Sequence, residues 1–201
     1  DEDEVTWLIG LLTAASAVQH DRATAGMIGV PLDVPKKAAR GMECLDNKKW
    51  WGAPLALRAA VWLGVPDATP EGEDPWARPA EAPALGGASG VRIAHVISAQ
   101  AAWSAGKMDI VKQSLRELVA SRESTKPPAR FQLVDFTALA QAEAMSDKIW
   151  TKATGHRTPL GELGTFPTDD VGGDAGEDDG LLDSLDAEGE DTDADQGEES
   201  W

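Results

Sequence analysis

Residues 91–122 read VRIAHVISAQAAWSAGKMDIVKQSLRELVASR, and this stretch decides the fold class. It contains two segments of helical length, 91–105 and 107–122, separated by little more than Gly106. Consecutive helices joined by so short a connection pack as antiparallel neighbours. The second segment carries an apolar stripe at helical spacing with polar residues opposite it, formed by Met108, Val111, Leu115, Leu118 and Val119. The sequence therefore predicts a helical hairpin.

The apolar segments outside the hairpin follow the same helical periodicity. Further helices are predicted over about 4–20, from about 35, over 48–63 and over 130–152. In the third of these, Pro54 either kinks the helix or marks its true start. No segment alternates apolar and polar residues in the manner of a strand. We therefore predict an all-α domain, an irregular bundle of about five helices that includes the hairpin.

A Pro-rich and Gly-rich segment, residues 64–90, separates the third predicted helix from the hairpin. Its prolines and glycines are Pro66, Pro70, Pro75, Pro79 and Pro83 with Gly64, Gly72, Gly86, Gly87 and Gly90. This density predicts a long loop without a regular helix. Trp76 is its only aromatic residue. The tryptophan is expected either to anchor the loop on the core or to contact a partner from it.

The charge is concentrated at the two ends of the chain. The 35 acidic and 18 basic residues give a net charge of −17, and 15 of the acidic residues, with no basic one, lie from Asp169 onward. Such a segment cannot bury enough apolar surface to offset about 1–2 kcal/mol of backbone entropy per residue. We divide the chain into an acidic N-terminal extension (1–4), a helical domain (5–160) and a disordered acidic tail (161–201).

Isolated apolar residues interrupt the acidic tail. Leu181, Leu182 and Leu185 lie among aspartates, and the chain finishes on Trp201. Charge steers such a segment toward a basic or grooved protein surface, and each fully buried leucine contributes about 1.5–3 kcal/mol. These four residues, together with Trp76, are the predicted partner-binding residues. The alternative is a tail that only keeps the protein soluble.

The sequence offers little material for catalysis or metal binding. A single cysteine excludes a disulfide framework and a cysteine-based zinc site. His95 has the features of a core histidine on a helix, and the sequence nominates no partner for acid–base chemistry. Asp191, Asp193 and Asp195 are spaced like calcium-loop ligands, but Gln196 stands where the loop needs glycine. No cofactor and no metal ion is predicted.

The predicted function is that of a non-enzymatic helical adaptor or assembly factor that docks a protein partner, partly through the acidic tail. One alternative is a regulatory protein whose tail mimics nucleic acid and masks a basic surface, and another is an enzyme that uses His95. Direct binding of nucleic acid is not expected, because the basic residues are scattered among acidic ones.

The sequence predicts no membrane span and leaves the cellular compartment open. The apolar run 5–18 is shorter than the roughly 20 residues that cross a bilayer, and it is interpreted as a buried helix. Because the chain has one cysteine, no disulfide is possible within it, which is compatible with a reducing compartment and favours the cytoplasm weakly.

Overall fold

The computed structural model describes residues 2–31, 33–65 and 68–169, and every regular element in this part of the chain is a helix. The α-helices are α1 (Glu2–Ala23), α2 (Val34–Met42), α3 (Ala53–Gly64), α4 (Ala77–Ser89), α5 (Ile93–Ser104), α6 (Met108–Ser124) and α7 (Gln132–Thr154). A short 3₁₀ turn, Ala129–Phe131, leads into α7. The all-α prediction is confirmed, but the described residues form seven α-helices rather than about five.

The helices are stacked as successive hairpins. α1 packs on α2, α3 on α4 and α5 on α6, while α3 also contacts α1 and α5, and α5 contacts α7. The odd-numbered helices therefore follow one another side by side, and we call them the odd layer. α4 and α6 contact each other and α5. Helical hairpins stacked in this way are the building principle of α-solenoids.

Two apolar clusters hold the stack together. The first joins α1–α3 to the start of α5 and includes Leu8, Met42, Trp50, Trp51 and Leu55. The second joins α5, α6 and α7 and includes Val96, Leu115, Leu118, Ala142 and Phe166. The predicted stripe of α6 thus faces the core, since Val111, Leu115 and Leu118 are fully buried.

The structure selects the later start for the third predicted helix. α3 begins at Ala53, which leaves Trp50 and Trp51 in the preceding turn. Gly52 has φ +75°, and a Cβ added there would lie 2.3 Å from the carbonyl oxygen of Ala82. Glycine is required at this position because both the left-handed backbone and the close approach of α4 exclude a side chain.

The prediction of a helix-free loop over residues 64–90 is wrong, because α4 occupies 77–89. Pro79 is the third residue of α4, where a backbone N–H has no partner within the helix. Pro83 lies inside the helix and forfeits one backbone hydrogen bond. Ala82 and Pro83 are both buried against neighbouring elements. Tertiary packing therefore outweighs the local cost of the proline.

Residues 2–4 of the predicted acidic extension belong to a helix. Residues 2–4 form the first turn of α1, where negative charge interacts favourably with the helix dipole. The Glu4 carboxylate accepts hydrogen bonds from Lys49 and from the Trp50 indole, both at 2.9 Å. These two bonds, that of Lys49 first, lower the pKa of Glu4.

The domain extends beyond its predicted end at residue 160. The compact unit reaches Pro167, and the rest of the chain forms a second unit from Thr168. Phe166 is only 1% exposed within the second cluster, and the Trp150 indole donates to the carbonyl of Thr165. Residues 161–167 therefore belong to the domain and not to the acidic tail. None of the described helices is long and apolar enough to cross a membrane.

A candidate interaction surface on the odd layer

The odd layer leaves an open groove of about 690 Å³ where the C-terminal ends of α3 and α5 meet. Ala15 of α1 and Pro35 of α2 border it on one side, and α7 borders it on the other. Side chains that define its character are Leu57, Ala60, Ala101, Trp103, Met145 and Lys148. We call this feature the groove.

The groove lining is better suited to binding apolar side chains than to acid–base catalysis. Lys148 is the one charged residue among those that line it, and no histidine, cysteine or carboxylate joins it. Gln100 lies at the wall and donates a hydrogen bond of 3.0 Å to Gln141 of α7. General acid–base catalysis needs a titratable group beside the reacting atom. The lining instead combines small residues, which leave space, with Leu57 and Trp103, which offer apolar contact.

A second exposed apolar feature runs along the outer face of α7. Leu133 is 76% exposed and Phe136 67% exposed, and the exposed Ala140 and Ala144 continue the line at helical spacing. We call these four residues the α7 stripe. The outward face of a surface helix is normally polar. Contiguous apolar surface of this kind is typical of interaction sites.

A buried arginine connects the ends of several helices behind this surface. The Arg92 guanidinium donates to Asp135 Oδ2 at 2.8 Å, to Ser121 Oγ at 2.7 Å, and to the carbonyls of Gly90, Ser121 and Thr125. Asp135 Oδ1 also accepts the backbone N–H of Arg92 at 3.0 Å. Arg92 is 1% exposed and Asp135 4% exposed. This network is a structural clamp, because its polar atoms are directed at one another.

His95 is buried beside this clamp. It is 2% exposed and its Nδ1 has no hydrogen-bond partner. A Cβ added to Gly86 would lie 3.3 Å from Nδ1, so the ring is packed closely against α4. Burial and the nearby charge of Arg92 lower the pKa of His95 to about 4, and the imidazole is neutral at pH 7. The ring lines neither the groove nor the α7 stripe.

No cluster of potential metal ligands occurs among the described residues. Groups of three or more histidine, cysteine, aspartate or glutamate side chains close enough to share an ion are absent there. The one cysteine, Cys44, is exposed and unpaired.

The structure describes one of the five predicted partner-binding residues. Trp76 is half-buried and packs against the second apolar cluster, as expected of an anchor for its segment. Its contact with a partner stays a prediction. Leu181, Leu182, Leu185 and Trp201 lie outside the described residues.

Neither the groove nor the α7 stripe is among the features predicted from the sequence. The groove has no signal in the sequence, because its lining comes from five helices. The stripe did have one: α7 carries two apolar lines, one buried with Ala138 and Ala142 and the other exposed with Leu133 and Phe136. The clamp also went unpredicted, since Arg92 and Asp135 lie 43 residues apart.

No protein family model, curated protein or solved structure matches the chain.

Proposed function

We propose that the protein is a non-enzymatic helical adaptor that docks a protein partner in the groove, assisted by its acidic C-terminal segment. The observation that carries this proposal is the composition of the groove lining, which is apolar except for Gln100, Ser104 and Lys148. Its volume of about 690 Å³ lies within the range of clefts that hold small molecules, which leaves room for side chains of a partner.

The groove provides the desolvated contact that docking requires. Small residues such as Ala60, Ala101 and Ala105 leave room for an incoming side chain, and Leu57 and Met145 surround it with apolar surface. Burying one leucine or phenylalanine there is worth about 1.5–3 kcal/mol. Lys148 at the edge offers one charge for orientation.

The acidic C-terminal segment supplies long-range attraction in this proposal. Fifteen acidic residues from Asp169 onward accelerate encounter with a basic partner surface. The leucines at 181, 182 and 185 and Trp201 then provide short-range contacts. The groove and the segment would thus serve the same partner by different physical means.

A pair of matched tryptophan substitutions tests the groove. Ser104 and Ser124 are both exposed and are the last residues of α5 and α6, but only Ser104 lines the groove. We expect Ser104→Trp to fill the groove and to reduce recovery of partner proteins about tenfold, because the site is then occupied. Affinity purification with quantitative mass spectrometry, followed by titration of the purified partner, measures the effect.

The Ser124→Trp variant serves as the control and should recover partners as wild type does. Equal recovery with wild type and both variants would remove the groove from the proposal. Binding that is abolished by salt and unaffected by replacing the leucines at 181, 182 and 185 and Trp201 with serine would instead favour the nucleic-acid mimic.

A further inference from the structure

The α7 stripe lacks the charges that an exposed helix face normally carries. Its residues span about 16 Å along the helix axis. Between Gln132 and Ala142 the one charged residue is Asp135, and its carboxylate is buried against Arg92. Among the other α-helices, α7 contacts mainly α5. The outer face of α7 is therefore an apolar surface of the described fold that no described helix covers.

Basic side chains follow this face at both ends. Arg130 is exposed just before α7, and its guanidinium lies 4.4 Å from the centre of the Phe131 ring. Lys148 and Lys152 are exposed one and two turns beyond Ala144. The apolar line is thus bracketed by positive charge.

Carboxylates near the stripe do not cancel this positive charge. Glu143 is the exposed acidic residue beside the stripe. Asp147 accepts the backbone N–H of Thr158 at 3.1 Å and lies 3.9 Å from Nε of Arg157. The charge balance along the face therefore favours a negatively charged partner.

We propose that the α7 stripe binds an acidic amphipathic helix of a partner protein. Leu133 and Phe136 pack against apolar side chains of that helix, and the small Ala140 and Ala144 let its backbone approach closely. Carboxylates at its ends interact with the bases that bracket the stripe. The four stripe residues lie outside the groove, although Lys148 borders both surfaces, so the proposal goes beyond the proposed function and can be tested without it.

Three synthetic helical peptides of about 18 residues test the proposal. They share one leucine stripe and differ only in the polar positions, which are Glu-rich, Lys-rich or uncharged. We expect the Glu-rich peptide to bind the full chain about tenfold more tightly than the Lys-rich one at low salt, as measured by fluorescence anisotropy. Raising the salt concentration to about 0.5 M should reduce the difference in affinity between the Glu-rich and Lys-rich peptides, because exposed charges are then screened.

Substitutions of exposed apolar residues test whether the Glu-rich peptide binds at the α7 stripe. Leu133→Ser/Phe136→Ser should weaken binding of the Glu-rich peptide about tenfold or more. Leu160→Ser is the matched control, since Leu160 is also exposed but lies outside the stripe, and it should bind as wild type does. All three replaced residues are exposed, so thermal unfolding should stay unchanged.

Three results would overturn the proposal. One is equal or stronger binding of the Lys-rich peptide, and another is the absence of binding by the Glu-rich peptide. The third is a concentration-dependent dimer of wild type, detected by sedimentation and lost in the double variant, because a second copy of the chain would then cover the stripe.

Discussion

At the scale of single residues, the folded protein contains buried titratable groups whose protonation changes its stability. His95 is almost completely buried, and burial with the charge of Arg92 lowers its pKa to about 4. Burial tends to raise the pKa of Asp21, but three backbone N–H groups, those of Val30, Ile28 and Gly29, outweigh it and the pKa is lowered. Both groups make the protein less stable in acid, by different routes.

For His95 the loss of stability is predicted between pH 6.5 and about 4. The unfolded chain takes up a proton near pH 6.5, whereas the folded protein resists protonation until about pH 4. The contribution of neutral His95 to the free energy of unfolding is therefore fully present above pH 6.5. It falls by about 3 kcal/mol as the pH drops from 6.5 to about 4. His95→Gln should lose correspondingly less stability between pH 7 and pH 4, as measured by urea unfolding.

Asp21 is present in wild type and in His95→Gln alike. The difference between their stability curves therefore reports the contribution of His95 alone. The exposed His156→Gln is the control and should follow the wild-type pH dependence. Parallel stability curves for wild type and His95→Gln would contradict the prediction.

At the scale of elements, the Arg92 clamp joins the helices that build the second half of the stack. Its bonds reach the end of α4, the start of α5, the end of α6 and the first turns of α7. Gln100 and Gln141 link α5 and α7 again further along, so the two helices run in the same direction. The α7 stripe is presented outward because the opposite face of α7 is held by this clamp and by Ala138 and Ala142.

Removing one partner of the clamp should be costly. Asp135→Asn takes away the charge that pairs with a fully buried guanidinium, and we expect a loss of about 3–5 kcal/mol in urea unfolding. Asp33→Asn is the control, because its ion pair with Lys37 is exposed and should change stability by less than about 1 kcal/mol. Adding Arg92→Met to Asp135→Asn should restore part of the loss, since the unpaired charge is then gone. Equal effects of the two aspartate variants would contradict a structural role for the clamp.

At the scale of the whole molecule, the chain divides into a compact unit that ends at Pro167 and a segment from Thr168. The division coincides with the change in charge, since the long acidic stretch begins at Asp169. Phe166 is the last buried apolar residue of the compact unit, and Arg116 stacks on its ring at 5.2 Å.

Two truncations that differ by seven residues should therefore have different melting temperatures. Ending the chain after residue 167 should leave the melting temperature within a few degrees of wild type, because the compact unit is intact. Ending it after residue 160 removes Phe166, and we expect a loss of about 3–5 kcal/mol. Differential scanning calorimetry distinguishes the two, and similar melting by both truncations would show that Phe166 contributes little.

Local patterning was sufficient to predict the helical class, the hairpin of α5 and α6, and the change in charge near the end of the domain. These features depend on the spacing and type of neighbouring residues, which act over a few turns of helix. Local patterning gave a wrong prediction at α4, which it assigned to a loop. There the buried contacts of Ala82 and Pro83 compensate for a proline that would break an isolated helix.

Only the tertiary structure decided the groove, the outward direction of the α7 stripe, and the pairing of Arg92 with Asp135. The groove collects side chains from five helices, and the clamp joins residues 43 positions apart, so neither is encoded by any local period. Packing determines which of the two apolar lines of α7 is buried. Ala138 and Ala142 pack in the second cluster, and this orientation of the helix leaves Leu133 and Phe136 exposed to solvent.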